Sequence, residues 1–242
     1  MKYLVPNQYY YCHQCNDFYK ERGMVFDSFI TSLNNTFIGC TKYCDLGHLI
    51  SSDNNNFIFL DNKPDRYINS CIISIDCKDF SELPDNTQFT IQSVLYQISK
   101  IETTINNKEI LYKGTGDGFI AGIKNGSSYD AIDFCRKFIE LYITKCSFIE
   151  YRIGIVYGTF FTYWGISNIQ DLFGSDVIKA CRISDFGNKK VVLISSEAND
   201  NIVNQTYRKC ITEIGNCIDK HRRPHYVYNY CDNIMGSDFY SK

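Results

Sequence analysis

The sequence predicts an α+β fold: a ferredoxin-like βαββαβ core with extensions, preceded by a small cysteine-rich segment. Three observations predict it. Short β-branched runs alternate with longer stretches whose apolar residues recur at helical spacing. Their order along the chain is β-α-β-β-α-β, the split βαβ plan. A polar stretch, Ser51–Asn56 and then Asp61–Asp65, separates this alternating region from a tyrosine-rich segment that holds four of the twelve cysteines. The expected division is therefore 1–65 and 66–242.

The elements follow in order. Cys71–Ile75 is a short apolar run suited to a buried strand. Over residues 88–106, Ile91, Val94, Leu95, Ile98, Ile101 and Ile105 form a helical stripe. Glu109–Lys113 and Phe119–Ile123 read as two strands joined by Gly114-Thr-Gly-Asp-Gly118, a hairpin turn rich in residues that accept positive φ. A second helix carries Ala131, Phe134, Cys135, Phe138, Leu141 and Tyr142 on one face. Strand Tyr151–Tyr157, a short helix near 175–185, strand Val191–Ser195 and two strands near 207–214 and 225–230 complete the reading. This plan hosts many functions, so chemistry has to be argued from particular residues.

Composition narrows the field. A net charge of −2 gives no electrostatic reason for a nucleic-acid partner, and 44% hydrophobic with 15% aromatic residues excludes a largely disordered chain. The first residues, Met1–Gln8, lack the apolar core of a signal peptide. No apolar stretch approaches the roughly 20 residues that span a bilayer, so a cytoplasmic protein without membrane association is expected. A disulfide framework is disfavoured there. Cys71, Cys135, Cys146, Cys181, Cys210 and Cys217 sit singly in apolar stretches and read as small core hydrophobes. Cys12 with Cys15, and Cys40 with Cys44, form C-x2-C and C-x3-C pairs with His48 close behind. Two such pairs can hold a structural Zn2+. Reduced core thiols are the other reading, because the second spacing is irregular for a zinc ribbon and the apolar run Met24–Leu33 intervenes.

Two acidic turns carry the chemistry. Asp76 stands where the first strand ends, and Asp117 stands at the tip of the glycine-rich hairpin. A strand-helix-strand crossover lies between them, so the first and second strands are expected to be neighbours, with both carboxylates at one end of the sheet. Two carboxylates so placed suit a pair of Mg2+ ions completed by phosphates and water. Either aspartate alone would more often be a helix cap or a turn former. The glycine pattern is no dinucleotide fingerprint, because a strand and not a helix follows it.

Four blocks in order give the combination its meaning: Ser74–Ser81, Lys113–Ala121, Arg152-Ile-Gly-Ile155, and Gly174-Ser-Asp-Val177-Ile178-Lys-Ala180-Cys-Arg182-Ile183. Together they resemble the class III adenylate and guanylate cyclase catalytic domain over about residues 68–231. The resemblance implies a metal site at Asp76, Cys77 and Asp117 for two Mg2+ or Mn2+ ions. It implies a triphosphate-cradling turn over Cys77–Ser81, with Phe80 and Ser81 as substrate contacts. Lys113 and Asp171 match the base-reading pair, and Arg182 matches the arginine that stabilises charge on the reacting phosphate. Lys220, Arg222 and Arg223 fall where the family places a triphosphate-binding lysine. Two residues depart from the pattern. Ile178 replaces an Asn that orients the ribose, which would cost on the order of 10²–10³ in rate. Asp79 replaces a common Gly in the triphosphate turn.

The implied reaction is in-line attack of the ribose 3′-oxygen on the α-phosphorus, with pyrophosphate leaving. The implied assembly is a homodimer with composite sites. One subunit supplies the metal aspartates and the triphosphate turn, and its partner supplies the base-reading pair and the arginine. A lysine beside an aspartate complements an acceptor beside a donor, which adenine, uracil and cytosine all offer. The compact arrangement, without a receptor or transducer ahead of the catalytic region, resembles the stand-alone pyrimidine cyclases of bacterial anti-phage signalling, which make cyclic UMP or cyclic CMP. The competing readings are an adenylate cyclase and a catalytically silent nucleotide-binding relative.

Overall fold

The computed structural model describes residues 7–12, 17–20, 42–43, 49–50, 57–60, 64–146, 150–164, 170–187 and 190–231. The chain divides into two compact units, Met1–Asp65 and Arg66–Lys242. In the first, Asn7–Cys12 pairs antiparallel with Asp17–Lys20 on one side and with Phe57–Leu60 on the other. Lys42–Tyr43 pairs with Leu49–Ile50. Cys12 ends one of these strands; Cys15, Cys40, Cys44 and His48 lie outside the described residues.

The second unit is built in chain order from β1 (Asp65–Cys77), α1 (Asp85–Ile101), β2 (Lys108–Gly114), β3 (Gly118–Ile123), α2 (Ser128–Cys146), β4 (Tyr151–Trp164), β5 (Gln170–Phe173), α3 (Ser175–Asp185), β6 (Val191–Ser195), α4 (Ser196–Asp200), β7 (Ile211–Ile218) and β8 (Pro224–Tyr230). The sheet order is β7-β8-β6-β4-β1-β3-β2, with Thr104–Ile105 on the β2 edge and β5 paired to β4. Its four core strands thus stand as β4-β1-β3-β2, the ferredoxin-like order. The mixed α+β class expected from the sequence is the one observed.

Period-2 alternation divides β1 between the two faces of the sheet. Cys71, Ile73, Ile75 and Cys77 join the core under α1 and α2, whereas Ile72 faces the second core beneath α3. Ser74 on that second face lies with its hydroxyl 3.3 Å from that of Ser184 on α3, and Asp76 is the next residue in the same register. On β4 the division repeats: Tyr151, Ile153 and Ile155 enter the first core, and Gly154 lies under α3. A Cβ at Gly154 would stand 2.3 Å from the Ala180 carbonyl oxygen, so only glycine lets α3 lie this close to the strand.

Several boundaries differ from the sequence reading. The first helix ends at Ile101 and not near 106, because Asn106 and Asn107 adopt positive φ (48° and 62°) in a two-residue hairpin turn between Thr104–Ile105 and β2. Ile101 is accordingly 71% exposed, and Ile105 packs against the core from a strand. The segment near 207 begins as a helical turn, Gln205–Arg208, whose cap Asn204 accepts from the Thr206 N–H at 2.8 Å. The strand follows only at Ile211. β4 runs to Trp164, well past Tyr157, and pairs with β5, which the reading lacked. Cys71 and Cys135 are fully buried, while Cys181, Cys210 and Cys217 are partly buried against the cores. No helix among the described residues is long and apolar enough to cross a membrane.

Candidate active site

The strand order changes how the aspartates meet. β1 and β2 are not neighbours: β3 lies between them, and Asp76 of β1 stands opposite Gly118 of β3. Asp117 precedes Gly118, so the two acidic residues sit at the same end of adjacent strands. The Cys77 N–H donates to the Asp117 carbonyl at 3.0 Å and locks that end. Gly118 is required here by proximity and not by backbone conformation. A Cβ on it would lie 1.9 Å from the Ile75 carbonyl oxygen. Of the three turn glycines only Gly116 has positive φ, 95°. Its carbonyl accepts from Gln92 Nε2 at 3.0 Å, which ties the hairpin tip to α1.

Asp76 is half-buried, and Arg152 of β4 holds it. Arg152 Nε donates to Asp76 Oδ2 at 2.8 Å, and an Nη2 donates to the same oxygen. Burial pushes the Asp76 carboxyl above its ordinary range. Arg152 pulls it down, and the adjacent Asp117 carboxylate pushes it up again, leaving it raised overall. A pair of carboxylates that already recruits a guanidinium is a site that demands positive charge. Its donor chemistry, two hard carboxylate oxygens at a partly exposed sheet end, fits Mg2+ or Mn2+. Cys77, by contrast, is 2% exposed with its side chain in the core, so its thiol does not face this site.

The charged chain continues across α3. Arg152 lies 3.7 Å from Asp185, and Asp185 lies 3.7 Å from Arg182. Arg182 Nη2 is 3.0 Å from His221 Nε2 in the β7–β8 turn. Since a guanidinium can only donate, the imidazole nitrogen accepts. The Asp219 carboxylate shapes that turn by accepting from the His221 and Arg223 N–H groups at 2.8 and 2.9 Å and from His225 Nε2 at 3.2 Å. Backbone donation, from Arg223 first, lowers its pKa to about 2. Lys220, Arg222 and Arg223 are exposed on the same turn, yet the side chain that meets Arg182 is His221.

A second cluster gathers at the far end of β4. Lys113 Nζ lies 3.0 Å from Asp171 Oδ1 and 3.2 Å from Oδ2 and also donates to the Leu172 carbonyl at 3.3 Å. Tyr163, opposite Asp171 across the β4–β5 ladder, donates its hydroxyl to Asp171 Oδ2 at 3.2 Å. The triphosphate-turn candidates Phe80 and Ser81 sit on a 3-10 turn after β1, which Asp79 enters at φ 55°. Asp79 is exposed, so its charge points to solvent. Ile178 is 53% exposed, one helical turn before Arg182 on the same face of α3.

No local sequence pattern marks Arg152, Tyr163 or His221 for these contacts. The Arg152-Ile-Gly-Ile155 block was visible. That Arg152 faces Asp76 depends on β4 lying beside β1, which no local pattern specifies. Tyr163 lies on the part of β4 beyond the expected strand.

No protein-family model and no curated protein matches the sequence. Solved structures do match. The adenylyl cyclase CyaB from P. aeruginosa is 20% identical, with a TM-score of 0.55, covering 72% of this chain and 100% of that one. The guanylate cyclase domain of RhGC from Catenaria anguillulae, solved in complex with GTP, is 16% identical with a TM-score of 0.55, covering 69% and 98%. A dimeric guanylyl cyclase domain of the RhoGC fusion protein from Blastocladiella emersonii is 15% identical with a TM-score of 0.55, covering 69% and 97%. The second unit therefore has the fold of the adenylyl and guanylyl cyclase catalytic domains.

Proposed function

We propose that this chain is a metal-dependent nucleotide cyclase, converting a nucleoside triphosphate to a 3′,5′-cyclic nucleotide and pyrophosphate. One observation carries the reading: on a cyclase fold, Asp76 and Asp117 meet at one sheet end with Arg152 already bound to Asp76. Asp76 and Asp117 would hold the divalent ions, whose chemistry is to acidify the ribose 3′-hydroxyl and neutralise the triphosphate. Once Asp76 is otherwise neutralised, Arg152 is free to leave it and pair with a phosphate. Phe80 and Ser81 border the triphosphate. Arg182, oriented by His221 and Asp185, stabilises charge developing on the α-phosphoryl group. As the 3′-oxygen bonds to the α-phosphorus, the bond to the bridging oxygen breaks, the hydroxyl proton goes to solvent, and pyrophosphate departs.

Lys113 and Asp171 read the base. Both groups lie on this chain, as does Asp76. A two-fold dimer in which each chain lends its base-reading pair and Arg182 to its partner's aspartates gives two composite sites. The proposed substrate is a pyrimidine triphosphate, UTP or CTP, in preference to ATP, because the departure at Ile178 fits a divergent branch of the family better than an adenylate cyclase. Incubation with each of the four nucleoside triphosphates and Mn2+, with products resolved by chromatography, tests this. Cyclic UMP or cyclic CMP is the expected product. Cyclic AMP alone would overturn the pyrimidine assignment but keep the enzyme. No cyclic product from any of the four would leave a nucleotide-binding domain without turnover.

A further inference from the structure

Asp171 accepts more than one ion pair explains. Its Oδ1 takes the Leu172 N–H at 2.7 Å and Lys113 at 3.0 Å, and its Oδ2 takes Lys113 at 3.2 Å and Tyr163 at 3.2 Å. For a base edge to be read by this pair, it has to enter between Lys113 and Asp171. It accepts from the ammonium and donates to the carboxylate, so the ion pair opens. Lys113 then keeps the Leu172 carbonyl as an anchor. Asp171 keeps the Leu172 N–H on Oδ1, but a carboxylate anchored through one oxygen turns about its Cβ–Cγ bond. Among the described residues, only the Tyr163 hydroxyl holds Oδ2 once the lysine has let go.

We propose that Tyr163 is a positioning residue for base selectivity: it fixes the plane of the Asp171 carboxylate so that its acceptor stays aimed at the donor of an incoming base. The proposal rests on the reading of Lys113 and Asp171 as the base-contacting pair. Three features suit Tyr163 to the task. It stands directly opposite Asp171 in the antiparallel register, where cross-strand side chains are closest. Its ring meets Phe173 edge-on, with centroids 5.1 Å apart and planes at 79°, which restrains the phenol. Burial and the Asp171 charge push its hydroxyl above the ordinary tyrosine range, so it remains a donor at working pH. The arrangement suits a nucleobase that presents its acceptor to Lys113 and its donor to Asp171, and a fixed carboxylate plane sets which of the two is exocyclic.

The test measures binding and needs no turnover. The full chain, the Tyr163→Phe variant and the Lys113→Met variant are titrated with the 3′-deoxy triphosphates of the four bases, which cannot cyclise. The readout is the ratio of dissociation constants between the best and the worst base. Phenylalanine keeps the ring on Phe173 and removes only the hydroxyl. The expected result is a ratio reduced about ten-fold in Tyr163→Phe, the worth of one hydrogen bond to a charged group, with a larger reduction in Lys113→Met. A merely structural role would weaken all four triphosphates alike and leave the ratio intact; that result overturns the proposal. If Lys113→Met also keeps the wild-type ratio, the base is read elsewhere, and the assignment of the pair falls together with Tyr163. If no triphosphate binds the wild-type chain, the nucleotide reading itself fails.

Discussion

Replacing Gly118 with alanine is the sharpest perturbation of the candidate metal site that leaves both carboxylates in the chain. The new Cβ would stand 1.9 Å from the Ile75 carbonyl oxygen, 2.9 Å from its carbonyl carbon and 3.0 Å from the Asp76 Cα. All three are backbone atoms of β1, so no side-chain rotation relieves the contact. β3 has to retreat from β1 by about 1 Å at the residue pair that sets Asp117 beside Asp76, and overpacking of this kind costs about 1–3 kcal/mol. For a chain of this length that lowers Tm by roughly 2–12 °C. The same movement misplaces one carboxylate against the other, and about 1 Å of misplacement is worth about 10²-fold in rate. Gly122→Ala is the matched control. Its Cβ meets a side chain, the Phe160 ring at 2.8 Å, four residues beyond Gly118 on β3. Calorimetric titration with Mn2+, thermal melts and cyclisation assays are run on both variants. Similar losses of Tm are expected, with loss of Mn2+ affinity and turnover in Gly118→Ala alone. If Gly118→Ala binds Mn2+ as tightly as Gly122→Ala does, the end of the β1–β3 pair is not the metal site.

Asp76→Asn and Asp117→Asn should each abolish cyclisation while the protein still melts cooperatively; an Asp117→Asn enzyme at wild-type rate would refute the metal assignment. Ile178→Asn, which places an amide on the exposed face of α3 one turn before Arg182, should raise kcat by up to about 10². An unchanged kcat would show that the ribose is oriented elsewhere. Mixed Asp76→Ala and Arg182→Ala chains should recover about a quarter of wild-type activity after subunit exchange, since half the dimers are mixed and each has one intact site. No recovery after demonstrated exchange would exclude sharing. Asp219, whose pKa is depressed to about 2, should stabilise the β7–β8 turn at pH values above 3.8 and lose that contribution as pH falls towards 2. The Tm difference between wild type and Asp219→Asn should therefore shrink across that window, and a difference constant from pH 6 to pH 2 would contradict it.

Much of this was legible in residue order alone. The β-branched runs at 71–75 and 191–195, the Ile91–Ile98 stripe and the glycine-bounded hairpin each carry a local period, and each fell in the element expected. Asp76 and Asp117 were visible as acidic residues at strand ends, because the end of a strand and the tip of a turn are local features. Lys113 and Asp171 pair through the family resemblance and not through a local pattern, and they lie 3.0 Å apart. The missed end of the first helix was also a local matter, since Asn106-Asn107 is itself a turn signal.

What residue order did not carry was adjacency. Period and propensity act over a few residues and say nothing of which strand lies beside which. Only the sheet order put β3 between β1 and β2, making Gly118 the close-contact residue beside Asp76. Only β4 lying against β1 turned Arg152 from a residue in a recognised block into the partner of Asp76. The β4–β5 ladder decided that Tyr163 faces Asp171, and the β7–β8 turn that His221 meets Arg182. The sequence by itself determined which residue types stand ready for phosphate and metal chemistry. The tertiary structure decided which charges neutralise one another, because electrostatic and hydrogen-bond energies depend on distances of a few ångströms between residues far apart in the chain, 76 positions for Arg152 and Asp76.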